Sequence, residues 1–464
     1  MNDPEARTTP STDNYAGFEL TRAFLDEIEA AVEARDAPAV RERLQPLHPA
    51  DISAVLDELD TEEAKFVVDH LDRDLSADIL TNVEPETRRR FLKSFTPAEL
   101  AEYMYHIDSD DAADILNEQP IQVREEIIAH IQDAQVAHDV LDLLRYEEDH
   151  AGGLMAKELV KCNVNWDVKQ CIEEIRRQAE EVERLYSVYV VDDGGKLLGR
   201  VSLKRLLLAH DRTPVADVYE PDVVTVESYR HAEEVAEIMR RYDLEAIPVV
   251  NVQGRLLGRI TIDDIVDVIT EQAEKDQQIM SGITENAEDP DSVWSMARSR
   301  LPWLMIGMMG GLLGARFIGL FEDDLAIIPA MAFFIPLVTA TGGNVGIQSS
   351  TVVVQSLANK SALSEALAAR MLKVVGVALI NALVISMTVF GFVYIGESFR
   401  LAVVVGVALF AVVLLASLMG TITPLVLEHF GINPALASGP FITTANDLLG
   451  LGVYFAVAHQ MYQL

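Results

Sequence analysis

Three kinds of signal predict a multidomain chain with an α-helical superhelical N-terminal domain, an α+β tandem repeat in the middle and an all-α domain of five transmembrane helices at the end. They are the uneven spread of charge, an internal repeat and a succession of apolar runs after Arg300. The 464 residues carry 37 Lys+Arg against 73 Asp+Glu, a formal net charge of -36. Residues 301–464 hold only seven of the acids and five of the bases, which leaves 66 acids and 32 bases for residues 1–300. So acidic a body repels nucleic-acid phosphates, so DNA and RNA are excluded as expected partners and cations are favoured. Cys162 and Cys171 have neither a redox nor a zinc spacing, and the start of the chain shows no charged-then-apolar leader. Both facts argue against a disulfide-stapled secreted protein.

At the front, after a tail at 1–19 expected to be disordered, short apolar-periodic helices recur about every 12 residues. The segments HPADISAVLDELD, DTEEAKFVVDHLD and TPAELAEYMYHID each open with a turn residue and close on Leu or Ile followed by Asp. Stacked helices of that length make a superhelix around a narrow shared core, assigned to residues 20–146. Asp110 and Asp114, four apart, share one helix face and suit a hard divalent cation; Asp264 and Asp267, three apart, do the same further on. Plain solvated surface charge is the competing explanation.

In the middle, residues 185–207 realign with 244–266, with eight of 23 positions identical. Each copy reads as a helix (168–184 and 230–242), a strand, a Gly turn, a strand and a second amphipathic helix. The copies are placed at about 151–213 and 214–275, within a module spanning 147–275. The pair resembles tandem cystathionine-β-synthase (CBS) domains, a module that senses ligands such as adenine nucleotides. By that resemblance Thr261 and Asp264 are candidate ribose contacts, and ATP is a candidate regulator. The first copy has Ser202 but Arg205 in place of the Asp, so one conventional nucleotide site at most is expected.

A bilayer-spanning helix needs about 20 apolar residues. The sequence supplies five such runs, at about 302–321, within 325–359, and at about 373–396, 401–427 and 438–462. Arg298 and Arg300 precede the first run, and Lys360, Arg370 and Lys373 lie between or just inside the second and third. Glu322, Asp323 and Asp324 lie between the first and second. This bias places the N-terminus in the cytoplasm and, with five spans, the C-terminus outside. Five helices enclose a pore poorly alone, so a homodimer with the pathway at a symmetric interface is expected.

Polar residues inside such runs are functional suspects. The run Thr339-Ala340-Thr341-Gly342-Gly343-Asn344-Val345-Gly346-Ile347-Gln348-Ser349-Ser350 is a candidate for unwinding to present carbonyls, or for close packing through small residues. Asp447 is the only acid in the fifth run and shares a face with Thr443, Gly450 and Tyr454. Pro440 removes an amide donor and is expected to free carbonyls near Gly439. One carboxylate with oxygen neighbours suits magnesium, which keeps most of its water. A proton-relay acid, or one simply hydrogen-bonded to Asn344, is the alternative.

With these parts in order, the chain resembles the MgtE family of magnesium channels over residues 20–464, through EEDHAGGLM at 147–155, YDLEAIPVV at 242–250, FFIPLVTATGGNVGIQS at 333–349 and NPALASGPFITTANDLLGLGVYF at 433–455. The resemblance implies a homodimeric, magnesium-selective plasma-membrane channel. Asp447 matches its pore carboxylate, Asn344 its pore-lining Asn, and Gly439 and Thr443 its pore-side carbonyl positions. It also implies magnesium-binding acids on the cytoplasmic side, at positions matching Asp78, Asp110, Asp114, Glu233, Asp243 and Asp264, which hold a closed form through a plug helix at 276–300. Asp267 and Asp276 join that set. Departures from the pattern are His231 where an acid is frequent, Gln272 and Lys275 within an acidic run, and Asn433 in place of the Asp before Pro434-Ala435. Manganese and other divalent cations are secondary candidates for transport, and membrane lipid, a second copy and magnesium ions are the expected partners.

Two rivals stand beside this: a proton- or sodium-coupled exporter of divalent cations that uses Asp447 for coupling, and a membrane-tethered nucleotide sensor that conducts nothing. No H-E-x-x-H, G-x-S-x-G or Walker loop is present, which argues against an enzyme.

Overall fold

The computed structural model describes residues 18–462 except 84, 179–181, 183, 184, 186, 285–292 and 359–366. The expected tail, Lys360 and the middle of the 276–300 stretch therefore lie outside the described residues, apart from the tail's last two. The chain divides into two compact units, Met1–Ile269 and Thr270–Leu464.

In the first unit ten short helices run from Arg22–Glu33 to Ala134–Leu143. Their starts are set by side-chain caps: Asp60 with Glu63 and Thr96 with Glu99 both close capping boxes, and Pro49 and Pro97 sit where a helix needs no amide donor. Each helix buries one apolar stripe, and Ile52, Leu56, Val67, Ile79, Leu80, Leu100 and Leu116 join a single elongated core.

The tandem module forms two three-stranded sheets of the same design. In the first, β1 (Val160–Asn163) pairs in parallel with β2 (Val188–Val191), which pairs antiparallel with β3 (Leu197–Val201). In the second, β4 (Val226–Glu227), β5 (Ala246–Val250) and β6 (Leu256–Thr261) repeat that order. The hairpins turn through Gly195 and Gly254, at φ +78° and +76°, where a Cβ would be strained. Asp192 accepts from the Gly194 and Lys196 amides, and Asn251 from those of Gln253 and Arg255, so both copies use one turn chemistry. Leu197 N donates to Gly254 O at 2.9 Å and Leu256 N to Gly195 O at 3.1 Å, which joins the hairpins about a local two-fold. Strands β1 and β4 are not predicted from the sequence: at four and two residues they are too short to show alternation.

The second unit contains the five expected apolar helices, and they are long enough to cross a membrane. They are Val293–Gly319, Ile335–Ala358, Leu367–Gly396, Phe399–His429 and Pro440–Tyr462, here the first to fifth spans. The fourth forms the centre, packed by the second, third and fifth, while the first lies on the fifth. Val404, Val405, Ala408, Leu409 and Val412 meet Val338, Tyr454 and Phe455 in its core. The 276–300 stretch is shared between two elements: residues up to Met280 end a helix that starts at Ile262, and residues from Val293 begin the first span.

A candidate cation site in the spans and a carboxylate cluster in the first unit

The Gly-rich run of the second span stays helical from Ile335 to Ala358, so the expectation that it unwinds is not met. Its glycines instead admit close neighbours. A Cβ on Gly346 would collide with the Asn446 amide, and one on Gly342 would lie 3.1 Å from Val412 Cγ1. Packing through small residues satisfies the backbone within the helix, which is cheaper in lipid than exposed carbonyls.

The same approach positions Asp447. A Cβ on Gly343 would lie 3.1 Å from Thr443 Cγ2 and 3.4 Å from Asp447 Oδ1, so the missing side chain lets the half-buried carboxylate rest against the second span. Among the described residues no ion pair or hydrogen bond engages it, with Asn344 or otherwise. Asn344, on the same span, is exposed in the single chain. Gly450 and Tyr454 continue the Thr443–Asp447 face inward, where the Tyr454 hydroxyl donates to Met331 O at 2.9 Å. Beside Asp447, Asn446 is 2% exposed and neither of its amide atoms has a partner. Nothing in the sequence singles out Asn446, since an Asn one position from an acid carries no spacing signal.

Gly439 lies at the other end of the fifth span. A Cβ there would sit 3.2 Å from Met280 O, and the Gly439 carbonyl accepts a long bond, 3.5 Å, from Thr443 N. Asp276 is half-buried next to this segment and accepts from Asn433 Nδ2 at 3.1 Å and Gln272 Nε2 at 3.3 Å. Asn433 thus supplies a donor where a second carboxylate would face the first.

In the first unit the structure gathers acids from three places. Asp110 is 9% exposed, and its carboxyl lies with those of Asp108 and Glu158 so that all three offer a ligand atom within 4.8 Å of one another. Burial first, and then the nearby charge of Asp264, push Asp110 well above the usual carboxylate range. Asp111 is pushed up to about 7 by desolvation and then by Asp264, and Asp114 to about 7 by desolvation and then by Asp111. Both keep an exposed edge, so their shift reflects protein packed around the carboxyl and not full enclosure. Asp264 and Asp267 are also raised, by desolvation first. Arg88 is the base the cluster feels, and it is committed to Glu118 at 2.6 Å. Asp108 and Asp111 stand next to predicted residues, but Glu158 is 48 positions from Asp110, and only the fold brings them together.

The other predicted acids do not join this cluster. Asp78 is exposed on the solenoid, and Glu233 and Asp243 are exposed at opposite ends of the helix Ala232–Tyr242. The candidate nucleotide pair is occupied internally: Asp264 Oδ2 accepts from Thr261 N at 3.1 Å and from Thr261 Oγ1 at 2.6 Å. That contact caps the helix that starts at Ile262. In the first copy Arg205 instead pairs with Glu220 at 2.9 Å and donates to Val218 O.

Five spanning helices with a lone internal acid, joined to a paired α+β module and a helical solenoid, define a multi-pass membrane protein with a large portion outside the spans. Family models match in that order: "MgtE intracellular N domain" at 47–149, "CBS domain" at 151–211 and 215–271, and "Divalent cation transporter" at 335–457. The chain is 35% identical over 448 residues to the magnesium transporter MgtE of Thermus thermophilus, which covers 94% of this chain and 98% of that protein. It is 34% identical over 328 residues to the magnesium transporter MgtE of Enterococcus faecalis, covering 70% and 72% of the two chains. A crystal structure of the cytosolic domain of the Mg2+ channel MgtE in complex with ATP is 38% identical, covers 53% of this chain and 99% of that one, and superposes with a TM-score of 0.48. The chain belongs to the MgtE family of divalent cation transporters.

Proposed function

We propose that the protein is a magnesium-selective channel of the plasma membrane, that it works as a homodimer with its N-terminus in the cytoplasm and its C-terminus outside, and that cytoplasmic magnesium closes it. The observation that carries the conduction half is Asp447, the only acid of the fifth span, lying against Gly343 with no base paired to it among the described residues. Asn344, exposed on the single chain, and Thr443 and Gly439 share the pathway with Asp447. A second copy completes the wall. A carboxylate there attracts a divalent ion that keeps its inner water, and the pore's width and oxygen lining set selectivity.

The regulatory half rests on Asp110, Asp111, Asp114, Asp264 and Asp267. Burial first, and neighbouring carboxylates after it, raise these acids above the usual carboxylate range, and a hard cation bound among them would offset both costs. These residues, with Asp108 and Glu158, would hold magnesium. Asp78, Glu233, Asp243 and Asp276 are assigned to further sensing positions by family likeness. When magnesium is withdrawn the carboxylates repel and the solenoid loosens from the second copy, which favours the open channel. ATP is proposed as a second regulator, at Thr261 and Asp264, which must then trade their mutual hydrogen bonds for the ribose. Manganese and other divalent ions are proposed as slower cargo.

The test is uptake of magnesium into proteoliposomes holding a trapped indicator dye, with calcium and manganese as competitors, for wild type and Asp447→Asn. Selective uptake that Asp447→Asn abolishes supports the reading. Selectivity that survives the substitution removes Asp447 from the pathway.

A further inference from the structure

We propose that Asp149, His150 and His231 form a site for a borderline transition-metal cation of the zinc class, chemically distinct from the carboxylate sites assigned to magnesium. His150 lies in the EEDHAGGLM segment, and His231 is the residue that precedes the helix Ala232–Tyr242. Backbone hydrogen bonds lace the two segments together: Ala151 N to Arg230 O at 2.7 Å, Gly152 N to Ser228 O at 2.8 Å and Ala232 N to Asp149 O at 2.8 Å. His150 and His231 face each other across this pairing as an antiparallel bridge. Their rings are 4.2 Å apart between centroids and inclined by 40°.

The Asp149 carboxylate serves both imidazoles. Its Oδ1 lies 2.6 Å from His150 Nδ1 and its Oδ2 lies 3.6 Å from His231 Nδ1. Each of the three residues offers a ligand atom within 4.8 Å of the others. Glu147 Oε2, 3.5 Å from His150 Nδ1, is a fourth donor at hand. Bonds of 2.0–2.1 Å to a tetrahedral zinc hold donor atoms about 3.3 Å apart, so the set closes on a metal by moving about 1.5 Å or less. Asp149 and His231 have the freedom to move that far, with side chains 68% and 61% exposed, while His150 at 18% is the fixed post.

Imidazole nitrogen discriminates between metals. Magnesium takes oxygen ligands and water, whereas two imidazoles with one carboxylate suit zinc, cobalt, nickel or copper. The positive end of the helix after His231 opposes a cation there, but Glu233 and Glu234 in its first turn, with Glu147 and Asp149, supply negative charge. Arg230, the nearest base in sequence, is held by Glu234 at 2.9 Å. Three protein donors leave coordination positions for water, as in zinc sites that exchange their metal.

The experiment titrates cobalt(II) into the untagged full-length protein in detergent, in a large excess of magnesium, and reads visible d–d absorption and bound metal per chain. The expected result is one cobalt per chain with the bands of a four- or five-coordinate ion, displaced by zinc. His150→Ala and His231→Ala should each weaken binding by about 100-fold or more, since even loss of an outer partner of a ligand costs 10–100-fold. His210→Ala, at an exposed position outside this group, should bind as wild type. If an alanine variant melts early, His150→Asn and His231→Asn give the same readout with side chains of similar size. Failure of the wild type to bind cobalt, equal binding by the histidine variants, or loss of cobalt to the magnesium excess would overturn the proposal. Transport enters none of these readouts, so failure here leaves the channel reading intact and the reverse also holds.

Discussion

Asp447 stands alone, whereas Asp110 stands in company. The first lies in a spanning helix against a glycine, with no ion pair or hydrogen bond among the described residues; the second shares its surroundings with Asp108, Glu158, Asp111 and Asp264. A solitary carboxylate attracts a cation without needing one for the fold to hold, as a passage through which ions move requires. Crowded carboxylates make the packing around them depend on a cation, as a sensor requires. Under the proposed function, the same functional group would serve conduction or control according to how many neighbours share its charge.

The comparison breaks first if Asp447 is dispensable. At 4 Å and an effective dielectric near 20, a carboxylate attracts each unit of charge by about 4 kcal/mol. Asp447→Ala should therefore lower magnesium uptake by roughly 100-fold or more, measured as indicator response in proteoliposomes, while the melting curve of the purified protein changes little.

The next effect belongs to the cluster. Asp110→Asn together with Asp264→Asn removes the mutual repulsion, so the solenoid should stay packed without magnesium. Limited proteolysis of this variant in a chelator should match the wild type at saturating magnesium. Proteolysis that still depends on magnesium would remove these acids from the proposed sensor.

A smaller, graded effect is expected from pH. Asp111 and Asp114 titrate near 7 in the folded protein against an ordinary 3.8. A folded pKa raised in this way contributes stability that is complete below about pH 4 and is lost as pH rises through 7. Magnesium-free protein should accordingly resist protease better at pH 5.5 than at pH 8. Magnesium must displace these protons, so its apparent affinity should weaken as pH falls below 7, by about tenfold per unit for each proton released. A magnesium affinity that is flat across this range would contradict the assignment.

The smallest effect sharpens the contrast within the membrane unit. Asn433→Asp replaces the amide that donates to Asp276 with a second carboxylate. The variant should melt a few degrees lower in chelator, for a loss of about 1 kcal/mol, and recover when magnesium is added. Equal melting with and without magnesium would show that this pair does not answer to the ion.

The parts of this design differ in how visible they are in the chain. The five spans are written as apolar runs, and the duplicated module as repeated residues such as Gly195 and Gly254, because local composition and local turns suffice to specify them. Asp447 is equally legible, since an acid in an apolar helix is conspicuous. What stays hidden depends on contacts between distant residues. The glycines of the second span read as candidates for unwinding or for close packing until Thr443, Asn446 and Val412 are seen against them, and Glu158 looks like any exposed acid until it meets Asp110. The His150–His231 pair is invisible for the same reason: 81 positions separate the two rings, and only the backbone pairing of their segments brings them together.

The most direct test of the account joins both carboxylate settings in one experiment: magnesium entry into proteoliposomes with no proton or sodium gradient, as magnesium on the cytoplasmic face is raised. The account predicts passive entry in the wild type that shuts off as cytoplasmic magnesium rises, no entry with Asp447→Ala, and low entry at every magnesium level with Asp110→Asn plus Asp264→Asn. Entry that appears only when protons or sodium are supplied, or a double variant that shuts off as the wild type does, would contradict it.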